Sequence, residues 1–460
     1  MAAIYGRAAL TISTPQNSGC DEGFNDFGQI ESEGPSLPEI LWKHRQRGRI
    51  VTGVVSVRNM ALNSYGEPEA PFWIGKQHSP WMRRGWTLQE WLLSPRVLHC
   101  GRERMWDCYE TWYTESSSML SSSESALLNA DPVAQGLASS VFARMARIDP
   151  EIGEGALDTY WARLVEDYTS RTLSHEMDKM PAIAGLAAIF MEHSHTRALA
   201  AKYLAGLWYY KGIYPFEGQK YPTSQIPLGL LWRRSSVEYM RSPDTYRAPS
   251  WSWASLDGPV SLFRLQWSLL EIFGSTAGSK DYLLFKNMEI LAVRCLFDPP
   301  GSFSLVQTGW IIASSLLERA YLNPSWKVAQ FNSSLQAEYH KSFVGLSTHQ
   351  KHEETPWFAI FDQDPEQTGV NFAEESLHVI QVATMTRQVQ ERRLPVIIHH
   401  ALVAEKVGIL DGIDCFRRLG VAWYCPKDGG KWNGVIDGPA KEWIDRHMLR
   451  DWKSQKIRLI

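Results

Sequence analysis

Glu90 is the side chain of this sequence with the strongest claim to chemistry. It stands in RRGWTLQEWLLSPRVLHC (83–100), shortly after Arg83 and Arg84. A guanidinium near a carboxylate holds it ionised, or shares with it the clamping of an anionic ligand. Glu90 is therefore a catalytic candidate and Arg84 a ligand-binding candidate. A structural reading stands beside this one. Thr87 and Glu90 have the T-x-x-E spacing of a capping box, in which each side chain satisfies a backbone N–H at a helix start. Arg84 would then be half of a structural ion pair.

Other chemistry finds little footing. His193 and His195 lie two apart near a predicted helix end, and that spacing does not aim two rings at one metal. His399 and His400 fall in a strand pattern, where neighbours face opposite ways. The six cysteines, Cys20, Cys100, Cys108, Cys295, Cys415 and Cys425, form no C-x-x-C pair. Neither a zinc site nor a disulfide scaffold is expected. There is no G-x-S-x-G elbow, no GK[ST] phosphate loop and no GxGxxG after a strand. No metal and no cofactor is expected.

The elements that would position Glu90 can be read from pattern. Ile4, Tyr5 and Ala8 have helical spacing, and Leu10–Ser13 reads as a strand. Residues 14–35 read as loop. Trp91, Leu92 and Leu93 continue the Thr87 helix until Pro95 ends it. Arg96–Cys100 and Arg104–Cys108 read as a hairpin around Gly101, Arg102 and Glu103. Residues 116–135 are Ser-rich and mark a boundary. Residues 157–171 form an amphipathic helix pattern. A second, apolar helix follows Ser174 through MPAIAGLAAIF, and YLAGLW (203–208) is expected to continue this helical part. In APSWSWASLDG (248–258), Trp251 and Trp253 are two apart, which predicts a strand with both indoles on one face. Residues 282–297, 303–318, 376–384 and 394–404 read as strands, with a polar stretch at 323–356 and a last helix at 439–452.

At roughly 150 residues per domain, 460 residues suggest two or three domains. Lys and Arg total 47 against 50 Asp and Glu, a net charge of −3, and the Arg pairs are dispersed. A nucleic-acid stripe is not indicated. No apolar run reaches the length of a membrane span, and the start has no signal-peptide pattern. Asn332-Ser333-Ser334 is a formal glycosylation sequon without a secretory context. The chain reads as cytoplasmic, with reduced thiols. Trp is unusually frequent, at 20 against 17 Tyr and 17 Phe. Such rings either stack on bases or sugars or fill a core.

Several blocks together carry a family resemblance. RRGWTLQEWLLSPRVLHC (83–100) closely resembles the R-x-W-T-x-Q-E helix and L-S-x-R-x-L strand of the fungal heterokaryon-incompatibility (HET) domain. The matching positions are Arg84, Trp86, Thr87, Gln89, Glu90, Ser94 and Arg96. MAAIYGRAALTIS (1–13) is similar to the block that precedes it. WARLVEDYTSRTLSHEMDKMPAIAGLA (161–187), YLAGLW (203–208), LLW (230–232) and YRAPSWSWASLDG (246–258) are similar to downstream blocks in order, the last with Trp251 and Trp253. CFRRLGVAWY (415–424) resembles a C-terminal block. The upstream A-L-S-Y-x-W-G and W-I-D-A-x-C-I-x-Q segments are not found, so the chain is expected to lack the N-terminal part of the domain.

The resemblance implies fungal self/non-self recognition and incompatibility-triggered cell death. The implied partner is another incompatibility protein or a second copy of the chain. It also implies a distant relation to Toll/interleukin-receptor (TIR) domains, some of which cleave NAD. A non-enzymatic signalling role and a TIR-like NAD(P)-hydrolysing role for Glu90 and Arg84 both stand. The expected fold is mixed α+β: an incomplete α/β TIR-like HET portion at 1–115, a Ser-rich linker with a short helix at 116–155, a helical HET-associated region at 156–260 ending in the PSWSWAS strand, and a β-rich region at 261–460. On this reading the tryptophans are the packing signature of one fold.

Overall fold

The computed structural model describes residues 2–15, 17, 39–46, 49–56, 79–100, 104–109, 112–114, 157–192, 201–209, 212–216, 219–223, 226–263, 282–323, 344–347, 357–364, 376–387, 396–424 and 452–460. The expected loop at 14–35, apart from residues 14, 15 and 17, lies outside them. So do the Ser-rich boundary, His193, His195, Cys20, Cys425, the sequon and all but residue 452 of the last helix. The chain divides into two compact units, Met1–Gly153 and Glu154–Ile460. The architecture is mixed α+β, with most of the strand in the second unit.

The first unit contains α1 (Ala2–Tyr5), β1 (Thr11–Ser13), β2 (Glu39–Gln46), β3 (Arg49–Ser56), α2 (Pro80–Arg83), α3 (Gly85–Leu93), β4 (Arg96–Cys100), β5 (Arg104–Cys108) and β6 (Trp112–Thr114). β2 and β3 pair as a hairpin. The others form a sheet of order β1-β4-β5-β6. β1 runs parallel to β4, with Thr11 beside Val97 and Ser13 beside His99. The expected β4–β5 hairpin forms, Arg96 opposite Cys108. Ser79 starts α2: its hydroxyl accepts from the Met82 N–H and donates to the Pro15 carbonyl.

The second unit opens with α4 (Leu157–Thr169), a 3-10 turn (Glu176–Lys179) and α5 (Pro181–Glu192). Trp161, Leu164, Val165 and Tyr168 recur at helical spacing on α4, and all four are buried. The expectation that YLAGLW extends the helical part is corrected. It forms a hairpin of β7 (Lys202–Leu204) and β8 (Leu207–Tyr209). Ala205 and Gly206 have φ of 45° and 96°, which a right-handed helix excludes and a two-residue hairpin turn requires. Then come the hairpin β9 (Gly212–Phe216) and β10 (Gln219–Thr223), α6 (Ile226–Gly229) and the small pair β11 (Arg233–Arg234) and β12 (Val260–Ser261).

The remaining strands are β13 (Tyr282–Lys286), β14 (Glu289–Asp298), β15 (Leu305–Arg319), β16 (Tyr321–Asn323), β17 (Val344–Ser347), β18 (Trp357–Phe361), β19 (Leu377–Arg387), β20 (Val396–Leu410), β21 (Ile413–Tyr424) and β22 (Lys453–Leu459). Their ladders close on themselves. β15 pairs β19, β19 pairs β20, β20 pairs β21, β21 pairs β22, and β22 returns to β15. Such closure removes the exposed edges that invite aggregation. β14, β13 and the β18-β17-β16 run extend this ring. Trp357, Phe361, Leu377, Val379, Ala401, Val403 and Trp452 belong to one buried cluster. Pattern reading does not find β2, β3, β9, β10, β17, β18, β21 or β22 as strands; in β22, KSQKIRL has no strict alternation.

Candidate functional site

In the first unit, α3 carries the predicted site. Arg84 sits between α2 and α3 in extended conformation and makes no side-chain cap. The expected capping box is thereby corrected. Thr87 lies inside the helix rather than at its cap, and its hydroxyl stands 2.7 Å from the carbonyl oxygens of both Trp81 and Arg84. It secures the α2–α3 bend by donating rather than by accepting from a helix N–H. Ser94 ends the helix. Its hydroxyl reaches the Glu90 carbonyl at 2.6 Å and the Thr11 hydroxyl at 2.7 Å, tying α3 to β1.

Glu90 is half-buried and Arg84 exposed. The structure adds Tyr5 of α1 to this pair. The Tyr5 hydroxyl hydrogen-bonds the Glu90 carboxylate, and its pKa is pushed up to about 12. Burial is the largest cause, followed by the Glu90 charge and that hydrogen bond, while the Arg84 charge opposes them. Both predicted charges therefore act on one phenol. A carboxylate that accepts a phenol proton keeps further acceptor positions for a substrate hydroxyl, a geometry compatible with general-base work. Tyr5 was legible only as a helical position, because nothing in its spacing relates it to Glu90.

The other motif residues divide sharply. Trp86 is half-buried and Arg96 exposed, whereas Thr87, Gln89 and Ser94 are buried. Gln89 is fully buried, and neither its amide nitrogen nor its oxygen has a hydrogen-bond partner among the described residues. Trp81, Trp91 and His99 meet edge to face, with centroids 5.5–6.5 Å apart. Trp91 donates to Asp107 at 2.6 Å, and Ser13 and His99 share a hydrogen bond of 2.6 Å. Trp81 and Trp91 are buried and structural here, whereas Trp86 and Trp106 are half-buried.

The second unit holds a different constellation. The expected PSWSWAS strand is corrected: Trp251 lies in a turn and Trp253–Ser255 is a single 3-10 turn. Ser252 causes this. Its hydroxyl accepts from the Ala254 N–H, as a cap does, and donates to the Ala205 carbonyl. Both indoles are still fully buried, but only Trp253 donates through its ring; the Trp251 indole N–H has no partner among the described residues. Trp253 donates to the Gly206 carbonyl at 3.0 Å, as does Trp161 at 2.8 Å. The Trp251 carbonyl accepts from the Trp232 indole at 2.9 Å. A Cβ on Gly206 would lie 2.5 Å from the Trp253 ring nitrogen, so only glycine fits there.

Charges lock the same blocks together. Arg247 donates to the Ala254 and Glu176 carbonyls and to Asp257, at 2.6–2.7 Å. Buried Lys179 donates to the Leu256 carbonyl and lies 3.4 Å from Asp257. Burial lowers the Lys179 pKa to about 7, with Arg247 adding to the effect and Asp257 opposing it. Burial alone would raise the Asp257 carboxyl, but Lys179 and Arg247 hold it below its usual value. Nearby, Arg418 makes a two-pronged pair with buried Asp362, at 3.0 and 3.1 Å. It also donates to the Leu230 and Trp232 carbonyls and stacks 3.6 Å over the Trp232 ring. The predicted strand pair His399 and His400 is buried, and desolvation lowers the two pKa values to about 4 and about 3. Among the described residues, no group of three or more His, Cys, Asp or Glu is placed to hold a metal.

No family model, curated protein or solved structure matches this chain. The functional argument therefore rests on the residues themselves. Sequence reading missed Lys179, Arg247, Asp257, Asp362 and Arg418 as a wiring system. Four of the five lie in the motif blocks, and that was the available signal. Asp362 stands in a segment with no pattern of its own.

Proposed function

We propose that this chain is a fungal heterokaryon-incompatibility-type protein, acting in self/non-self recognition and incompatibility-triggered cell death as a non-enzymatic signalling or interaction component in the cytoplasm. The observation that carries the reading is the convergence of separate blocks on one turn. Trp161, Trp253 and Ser252 all bond the Ala205–Gly206 carbonyls. Blocks that resemble one family in order, and that also depend on one another physically, support a single inherited unit rather than scattered coincidences. Among the described residues no helix is long and apolar enough to cross a membrane. The proposed partner is another incompatibility protein or a second copy of this chain.

The test is inducible expression in a fungal host with viability as the readout. Loss of viability that Trp253→Ala abolishes is the expected result. Full viability at high expression of the folded chain sinks the reading.

A second reading is favoured by one observation, the Tyr5 hydroxyl on half-buried Glu90 under the influence of Arg84. On this reading the first unit is a TIR-like NAD(P)-hydrolysing centre, with Glu90 as the acting carboxylate and Arg84 binding the pyrophosphate. Purified protein incubated with NAD should release nicotinamide, and Glu90→Gln should abolish that release. Equal turnover in both proteins, or none in either, dismisses it.

A further inference from the structure

Past Leu459 of β22, its two neighbours β15 and β21 run on, and no other strand of the described residues lies between them. The turn at 249–252 enters there instead. Ser250 bonds the Ile460 carbonyl through its N–H and hydroxyl, and the Arg418 N–H donates to the Ser250 hydroxyl. Gly309 of β15 permits this approach, since a Cβ there would lie 2.8 Å from Pro249. The plug is incomplete. A cleft of about 910 Å³ remains, walled by the segment 239–256, the end of β18, β21 and Gly309. That volume lies in the range of small-molecule sites, which favour the mouths of closed sheets.

Two features of the wall define what fits. The first is charge. Asp257 faces three cations, Arg247 at 2.7 Å, Lys179 at 3.4 Å and Arg241 at 3.6 Å. Arg247 and Lys179 both lie on Oδ1, whereas Arg241 faces Oδ2 from beyond hydrogen-bond distance, so it is the loosely held third, with its side chain 76% exposed at the cleft. Arg417, bound to Glu405, adds a second partly exposed guanidinium. The acids of the wall are already engaged: Asp362 is locked to Arg418, and Asp364 also has an interaction. The second feature is aromatic surface. Tyr239 and Tyr246 line the same cleft and are 42% and 55% exposed, unlike the buried Tyr168 and Tyr203. The Arg234 guanidinium already sits 4.7 Å from the Tyr239 ring centre, so Tyr246 is the ring offered to a ligand; an exposed ring that shares a cleft with a guanidinium can stack a flat anionic ligand.

We propose that this cleft binds a small ligand that combines an anionic group with a flat ring, of about mononucleotide size, the anion held by Arg241 and the ring by Tyr246. The site is distinct from Glu90 and does not rest on the reading of the first unit. Polar neighbours are in place for such a ligand. Ser242 and Gln363 bond each other at 2.7 Å on the cleft wall and can exchange that bond for one to the ligand.

The experiment is titration calorimetry on the full chain with four probes: AMP, phenyl phosphate, adenosine and inorganic phosphate. AMP and phenyl phosphate should bind saturably. Adenosine, which lacks the anion, and phosphate, which lacks the ring, should each bind at least about tenfold more weakly. AMP tighter than phenyl phosphate assigns a nucleotide; the reverse assigns a phosphorylated phenol. Arg241→Gln and Tyr246→Leu should each weaken the tighter probe about tenfold, while Tyr246→Phe keeps its affinity. Both positions are exposed, so thermal melting should stay at the parental value and separates lost binding from lost fold. The proposal is overturned if neither AMP nor phenyl phosphate binds saturably. It is equally overturned if affinity is unchanged in either Arg241→Gln or Tyr246→Leu.

Discussion

In the unit Met1–Gly153, the charged residues of the densest motif stay at or near the surface. Arg84 and Arg96 are exposed and Glu90 is half-buried beside Tyr5. In Glu154–Ile460 the motif charges go inside. Lys179, Arg247 and Arg418 are all buried, and each bonds backbone carbonyls as well as a carboxylate. The first arrangement leaves hydrogen-bonding capacity open, most plainly at Gln89. The second uses its buried cations to join blocks that are far apart in sequence, although the Trp208 and Trp251 indole N–H groups there have no hydrogen-bond partner among the described residues. Two blocks of the same family resemblance thus carry different physical meanings. A Trp-x-Trp or Arg-Arg signature says which fold is being wired, whereas a half-exposed acid and an orphan amide mark a place where stability was not maximised.

The contrast can be broken most forcefully at Arg418. Arg418→Met leaves Asp362 as an uncompensated buried charge and orphans two carbonyls. Urea denaturation of the full chain should show a loss of about 3–5 kcal/mol in the second unit. The double variant Asp362→Leu with Arg418→Met should recover part of it. A loss below about 1 kcal/mol would mean that the pair is not wiring at all.

The next largest effect is expected at Gly206. Gly206→Ala drives a methyl into the Trp253 indole at a positive φ, and should cost about 1–3 kcal/mol. Tryptophan fluorescence should report the displaced ring. An unchanged spectrum and melting point would remove the turn from the centre of the account.

Lys179 tests the buried charges by pH. Its folded pKa of about 7 lies below the ordinary 10.5, so between those values the unfolded chain binds more protons than the folded one. Stability should therefore rise with pH from about 7 to 9, by about 1–2 kcal/mol in total. Above pH 9 the Cys295 thiol, pushed up to about 12 by burial, works in the opposite direction. Lys179→Met should flatten the rise in denaturation curves taken across that window. An identical slope in the variant would assign the titration elsewhere.

The smallest effect is expected at Gln89 and has the opposite sign. Gln89→Leu replaces an unpartnered buried amide by a similar apolar volume and should stabilise the first unit by about 1 kcal/mol. A destabilised variant would show that the amide has a partner in the folded chain.

Much of the scaffold was legible in sequence, for stateable reasons. The β4–β5 hairpin follows from Gly101 between two β-rich runs, and α4 from the spacing of Trp161, Leu164, Val165 and Tyr168. Glu90 and Arg84 could be named from type and proximity alone. What misled was period without context. Trp251 and Trp253 alternate like strand residues, yet the Ser252 hydroxyl redirects the backbone into a turn. YLAGLW looked helical until Ala205 and Gly206 took positive φ. Tyr5 and Asp362 were invisible, because their roles depend on residues 85 and 56 positions away, on other elements.

The position of β22 in the ring has a consequence for biosynthesis. The ribosome delivers residues in order, so β15, β19, β20 and β21 are all made before segment 453–459 emerges. Until then β15 and β21 wait with open edges, and the ring cannot close. Vectorial synthesis thus imposes a delay in which a largely complete, edge-exposed sheet must be shielded from other chains. β22 is the keystone of the ring, and the edges of β15 and β21 stay open to other chains until segment 453–459 has been made.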